Sequence, residues 1–163
     1  MKTSSVGSVL GTLLDSLDAG TELWKCHQCG QCSSICPSYR NGGIRTREVM
    51  ELTLIGDRSV LDEGSIWLCT MCNSCTERCQ LGVDPASVIN ALRNLSAKEG
   101  KAPEHFRKEA TLFIQTGLSF PVTGFTKKMR EELDLEPLKV TERALEDLKI
   151  IIDDTAMGDL DLD

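Results

Sequence analysis

The chain has 163 residues, 40% hydrophobic and 26% charged, with a formal net charge of −7; this suits one domain with an extension and excludes wholesale disorder. The acidic balance argues against a phosphate-backbone binder, so no nucleic-acid partner is expected. Aromatics are 4%, which disfavours a β-sandwich and favours helices.

In chain order, Val6, Val9, Leu10, Leu13, Leu14 and Leu17 recur at helical steps, with Gly20 as a stop. Residues 1–22 are therefore expected to form an N-terminal helix. Ser, Gly and Asp break its apolar positions, so it does not read as a signal peptide. No window has the apolar length a membrane span needs, and a cytoplasmic protein is expected. The run CHQCGQCSSICPSY follows from Cys26 to Tyr39. The linker IRTREVMELTLIG carries Val49, Leu52 and Ile55 at helical spacing and ends at Gly56. A second run, CTMCNSCTERC, spans Cys69 to Cys79, and the two runs hold all eight cysteines of the chain. Asp84 reads as an N-cap, with Pro85 at the first helical position, where a missing N–H costs nothing. Val88, Leu92 and Leu95 form the stripe of that helix and Gly100 closes it. Phe106, Ala110 and Phe113 mark a further helix before Gly117. Phe125, Met129 and Leu133 mark a weaker one. Thr141 caps a last helix with Leu145, Leu148 and Ile152 on one side. The expected organisation is an all-α protein: a cysteine-bearing domain over residues 23–100, a helical extension over 101–152 and an acidic flexible tail over 153–163.

Each run has the spacing C-x2-C-x2-C-x3-C. Three cysteines three residues apart can wrap a tight loop and converge on three corners of an iron–sulfur cubane, while the fourth points away and serves the other cluster of a two-cluster protein. This predicts two [4Fe–4S] clusters, one held by Cys26, Cys29, Cys32 and Cys79, the other by Cys69, Cys72, Cys75 and Cys36. Crossed ligation staples the two halves together and couples metal binding to folding. Structural zinc prefers cysteine pairs well apart in sequence, and crowded runs of four fit a cubane better. A disulfide framework does not suit a cytosolic chain.

With all eight thiols used as ligands, no cysteine remains for disulfide attack and no iron lacks a thiolate. No G-x-G-x-x-G phosphate loop follows a strand. The chain therefore reads as a carrier of electrons without an active site of its own. His27 can donate to a cluster sulfur, although an exposed loop histidine is the plainer reading; His105 is isolated. Arg40, Arg45 and Arg47 either offset the negative clusters or form a solvated face, the commoner case. Trp24 and Trp67 each lie two residues before a run and are expected to shield a cluster from water.

The stretches CHQCGQCSSICPSYRNGGIRTREVM and WLCTMCNSCTERCQLGVDPASVINALRNLSAKEG resemble the iron–sulfur C-subunit of heterodisulfide reductase. The resemblance runs from about Trp24 to Gly100 and continues more loosely through QTGLSFPVTGFTKKMREELDL and ERALEDLKII, favouring the methanogen type. It implies an α-helical ferredoxin fold like the C-terminal domain of the iron–sulfur subunit of succinate dehydrogenase. It also implies that two clusters pass electrons from the flavin-containing A-subunit to the B-subunit, which reduces the mixed disulfide of coenzyme M and coenzyme B in methanogenesis. The A-subunit in turn takes electrons from a hydrogenase or formate dehydrogenase. One departure is visible: Gln80 follows Cys79 where the family usually has proline, which predicts a less rigid loop. The competing readings are a heterodisulfide-reductase-like complex of sulfur oxidation, a quinone-linked relative, a catalytic iron–sulfur oxidoreductase acting alone, and a small independent ferredoxin.

Overall fold

The structure, a computed structural model, describes Gly11, residues 22–155, Met157, Gly158 and Leu160. The apolar stripe from Val6 to Leu17 with its Gly20 stop, and Ala156, Asp159 and residues 161–163 of the expected tail, lie outside the described residues. Among the described residues every regular element is helical and no strand forms. None of these helices is long and apolar enough to cross a membrane. The chain divides into two compact units, Met1–Lys101 and Ala102–Asp163.

The first unit contains α1 (Gln31–Ile35), α2 (Pro37–Arg40), α3 (Thr46–Leu54), α4 (Ser74–Glu77) and α5 (Pro85–Lys98). Three 3-10 turns, Leu23–Lys25, Arg58–Leu61 and Gly64–Leu68, join them. The linker between the cysteine runs is helical, as expected, and α3 buries Thr46, Val49, Met50 and Thr53. Thr53 is tolerated inside because its hydroxyl donates to the Val49 carbonyl at 2.7 Å. Ile55, expected on the apolar face, is exposed. It follows the last helical turn, where the chain bends away at Gly56, whose φ is 69°.

The N-terminus of α5 is built as its sequence predicts. Pro85 occupies the first turn and the Asp84 carboxylate accepts the Ser87 N–H at 3.1 Å. Val88, Ile89 and Leu92 are fully buried, and Leu95 packs on the same cluster. The helix ends at Gly100, φ 70°, with Lys101 N–H returning to the Ser96 carbonyl and Gly100 N–H to Ala97, a Schellman closure that satisfies the last carbonyls. Ser96 is buried and its hydroxyl donates to Leu61 O at 2.9 Å. Around that junction Arg58 pairs with Glu99, and Lys101 pairs with Glu99 and Asp62. These pairs are part-exposed, so each adds about 1 kcal/mol or less. The core of this unit is Leu23, Ile44, Val60, Leu61, Ile66 and Val83 with the inner faces of α3 and α5. Leu23 and Ile66 lie in the 3-10 turns that lead into the cysteine runs, so the same burial that stabilises the unit anchors both runs.

The second unit contains α6 (Glu104–Thr116), α7 (Gly124–Glu132) and α8 (Glu142–Asp153). Thr123 and Thr141 cap α7 and α8 with their side-chain oxygens. Gly117 ends α6 with φ 71°, and a Cβ there would lie 3.1 Å from Val140 Cγ1. Among its described residues Ile152 is the one buried hydrophobic side chain. The stripe Phe125, Met129 and Leu133 runs along α7 to the residue that ends it and lies at the surface, with Phe125 75% exposed. Periodicity predicted the face; it carries no information about what covers it.

Candidate metal centres

The two cysteine runs repeat position for position in backbone as well as spacing. Cys26 and Cys69 each end a 3-10 turn in extended conformation, with N–H groups bonded to Leu23 O and Ile66 O. The residues flanking the second cysteine then turn left-handed: Gln28 and Gly30 at φ 62° and 83° in the first run, Met71 and Asn73 at φ 52° and 58° in the second. A left-handed residue costs roughly 1–2 kcal/mol unless it is glycine or a tolerant asparagine. Two such residues per run wind the backbone tightly enough to bring three sulfurs to one side. The third cysteine of each run, Cys32 or Cys75, lies in a short helix, α1 or α4, and these two helices pack against each other.

That packing interleaves the runs. Cys26, Cys29 and Cys32 line one cavity together with Cys79 from the second run. Cys69, Cys72 and Cys75 line another together with Cys36 from the first. All eight cysteines are free of disulfides. Among the described residues no three His, Cys, Asp or Glu side chains are grouped so as to hold a single metal ion. One tetrahedral ion draws its thiolates to about 2.3 Å from one point, whereas a cluster fills a cavity with its own iron and sulfide and takes thiolates at its corners. Soft sulfur donors in fours, set around cavities, fit the second arrangement.

The fourth cysteines are held differently. Cys36 serves as the N-cap of α2, its Sγ accepting Tyr39 N–H at 3.4 Å, with Pro37 opening the helix. Cys79 is followed by a turn closed by Gly82 N–H on Cys79 O at 3.2 Å. Where Pro37 follows Cys36, Gln80 leads into this hydrogen-bonded turn, whose Gly82 has φ 69°. Burial pushes the Cys75 thiol up to about 11 and also raises that of Cys32, while hydrogen bonding from Ser74 lowers that of Cys72.

Other expectations meet mixed outcomes. His27 and Arg47 line the first cavity, and both are exposed. Arg40 donates to Ser34 O and Arg45 pairs with Glu48 on the surface, the solvated face that is the commoner case. Trp24 does not shield a cluster: it is 63% exposed. Its counterpart Trp67 is half-buried against the core, with the Arg93 guanidinium 5.7 Å above its ring. The short turn that holds Leu23 inside points the next side chain, Trp24, out.

Arg93 makes contacts that the sequence pattern does not mark. From α5 it donates Nε–H to Ile66 O at 2.8 Å and Nη2–H to Cys69 O at 2.6 Å, fixing the entrance to the second run. Asp84 is more than a cap: it also accepts the Thr76 hydroxyl at 2.6 Å and so ties α5 to α4. Its burial opposes ionisation, and bonds from Ser87 and Thr76 outweigh this and hold its carboxyl below the usual range. A lone arginine on a helix and a threonine inside a cysteine run carry no periodic signal, and neither contact was legible beforehand.

Comparison with known proteins adds the following. A family model described as a 4Fe-4S dicluster domain matches residues 22–83. The C-subunit of the ferredoxin:CoB-CoM heterodisulfide reductase of Methanosarcina mazei is 37% identical over 139 residues, covering 82% of this chain and 86% of that protein. The C2-subunit of the H2/formate:CoB-CoM heterodisulfide,ferredoxin reductase of Methanococcus maripaludis is 35% identical, covering 77% and 73%. The second iron-sulfur C-subunit of the CoB–CoM heterodisulfide reductase of Methanocaldococcus jannaschii is 34% identical, covering 87% and 78%. The dicluster match and the eight cysteines in their paired spacing agree: the chain carries two [4Fe–4S] clusters.

Proposed function

Because this chain belongs to the family of heterodisulfide reductase C-subunits, we propose that it relays electrons from a flavin-containing A-subunit to a catalytic B-subunit that reduces the coenzyme M–coenzyme B disulfide. We assign Cys26, Cys29, Cys32 and Cys79 to one cluster and Cys69, Cys72, Cys75 and Cys36 to the other. When bound, each cluster accepts and returns one electron. The chain's own residues do the rest. Leu23 and Ile66 anchor the runs, the left-handed residues wind them, and Cys36 and Cys79 cross between sites.

The observation that carries this reading is the partition of eight cysteines into two sets of four around two cavities. It leaves no thiol to attack a substrate, so we assign the chemistry on the disulfide to a different polypeptide of the complex. The exposed stripe of Phe125, Met129 and Leu133 on α7 supports a docking role for the second unit, since contiguous apolar surface of this kind marks interaction sites. The names of relatives refer to ferredoxin, H2 and formate as electron sources; here a hydrogenase or formate dehydrogenase would feed the A-subunit indirectly, in the cytoplasm.

The test is isolation of the native complex through a tag on this chain. The flavin-containing and catalytic subunits are expected to co-purify, and reduction of the flavin should reach this chain's clusters before heterodisulfide is consumed. Heterodisulfide turnover by the isolated chain would overturn the assignment.

A further inference from the structure

The two runs share a backbone but not an environment. Between its sulfurs the first cavity is lined by the apolar Met50, Leu81, Val83 and Pro85 and by the polar His27, Gln28, Gln31 and Arg47. The second has Thr46, Thr70, Asn73 and Ser74 beside Ala86 and Ile89. Around the second, Ser74 Oγ lies 3.4 Å from Cys72 Sγ. Tyr39 N–H donates to Cys36 Sγ at 3.4 Å. Arg93 adds a half-buried positive charge on the Cys69 carbonyl.

Around the first cavity, hydrogen-bond contacts to the ligand sulfurs are fewer among the described residues. Gln28 Nε2 lies 3.6 Å from Cys26 Sγ, yet both atoms of that amide find partners only when it is turned, donating to Arg47 O and accepting from Glu51 N–H. Arg47 and His27 face this cavity from exposed positions, where solvent screens a charge.

Adding an electron increases the negative charge of a cluster already held by four thiolates. Hydrogen bonds to sulfur and a nearby cation favour that change, and apolar walls oppose it. Building on the ligand assignment above, we propose that Ser74, Tyr39 N–H and Arg93 make the site of Cys36, Cys69, Cys72 and Cys75 the more easily reduced of the two. A single electron on this chain then rests there. The step is a one-electron exchange between the two sites; no bond forms or breaks and no proton moves. Ser74 and Arg93 act as positioning residues, through the ligands and their backbone.

The experiment is a potentiometric titration of the purified full chain with dithionite, followed by EPR, on wild type, Ser74→Ala, Arg93→Gln and Arg93→Lys. Two reduction steps are expected in wild type. Ser74→Ala should lower the reduced-to-oxidised ratio of the higher-potential step about fivefold at fixed poise, the worth of one hydrogen bond, or roughly 40 mV at 59 mV per tenfold for one electron. The lower step should stay in place. Arg93→Gln should move the same step in the same direction, and Arg93→Lys should move it less because the charge is kept. If Arg93→Gln fails to fold, Ser74→Ala decides. Movement of the lower step, or of neither, overturns the proposal. Iron analysis of the same samples separates the two levels. Wild-type iron far below about eight per chain sinks the two-cluster reading and this inference together. Full iron with the wrong step moving sinks the inference alone.

Discussion

Crossed ligation can be tested by counting damaged sites in double variants. Cys29 and Cys79 line one cavity although they come from different runs, and Cys72 shares a run with Cys79 but lines the other cavity. With about eight irons in the loaded chain, Cys79→Ala alone should leave about four, because one of two sites loses a corner. Cys29→Ala combined with Cys79→Ala should still leave about four, since both changes strike the same site. Cys72→Ala combined with Cys79→Ala should leave almost none. Uncrossed ligation predicts the reverse pattern for the two doubles. Iron and acid-labile sulfide per chain are measured anaerobically, with EPR of the reduced protein to count surviving clusters. If a damaged site retains three irons, the number of damaged sites, one against two, carries the same discrimination. A Cys29/Cys79 double that loses both clusters while the Cys72/Cys79 double keeps one would refute the ligand assignment.

Other consequences follow from the same geometry. Asp84→Ala removes a cap and the tie to Thr76, and should destabilise the loaded protein by about 1–2 kcal/mol in denaturant. The folded carboxyl is held low, so its charge contributes above the ordinary carboxylate value of about 3.9 and is lost as pH falls through the folded value. At neutral pH Asp84→Asn, which keeps an acceptor oxygen without the charge, should therefore fall between wild type and Asp84→Ala. At Gly30 an added Cβ would meet only Arg47 Cδ at 3.8 Å; the cost of Gly30→Ala is therefore backbone strain of roughly 1–2 kcal/mol. Gly30→Asn should cost less, as Asn73 already occupies the equivalent place, and equal unfolding midpoints for the two would contradict this. Leu92→Ala opens the core beneath both runs and should cost about 2–5 kcal/mol, read as a lower melting temperature and faster iron loss.

Much of this was legible in the sequence where one local interaction decides the outcome. The spacing of eight cysteines, the Asp84–Pro85 cap, the Thr141 cap and the Gly117 stop are each set by neighbours within a few residues, and each appears in the structure. Legibility ended where a distant partner decides. Trp24 and Trp67 occupy equivalent positions, yet it is Trp67 that lies under Arg93. The stripe on α7 announces an apolar face, but burial depends on what meets it. Arg58–Leu61 and Gly64–Leu68 are too short for periodicity to speak, although Val60, Leu61 and Ile66 are among the most buried side chains. Met71 in a left-handed conformation runs against its own preference; the winding of the cysteine run imposes it.

The difference between Pro37 and Gln80 shows how a repeat becomes two unequal sites. After Cys36, proline lacks an N–H and starts a helix at once, so the N–H of Tyr39 is directed back to the cysteine sulfur. After Cys79, glutamine permits a turn, and the Gly82 N–H is spent on the cysteine carbonyl instead. One position thus decides whether the crossing cysteine brings a donor to the site it enters. Cys36 enters the cavity lined by Ser74 and Thr70, whose Cys69 carries the Arg93 bond on its carbonyl; Cys79 enters the one lined by Met50, Leu81 and Val83 with Gln28 and Arg47. The crossing therefore deepens the asymmetry rather than averaging it. A chain with two equivalent sites would share one electron between them, whereas unequal sites give that electron a resting place and the chain a polarity.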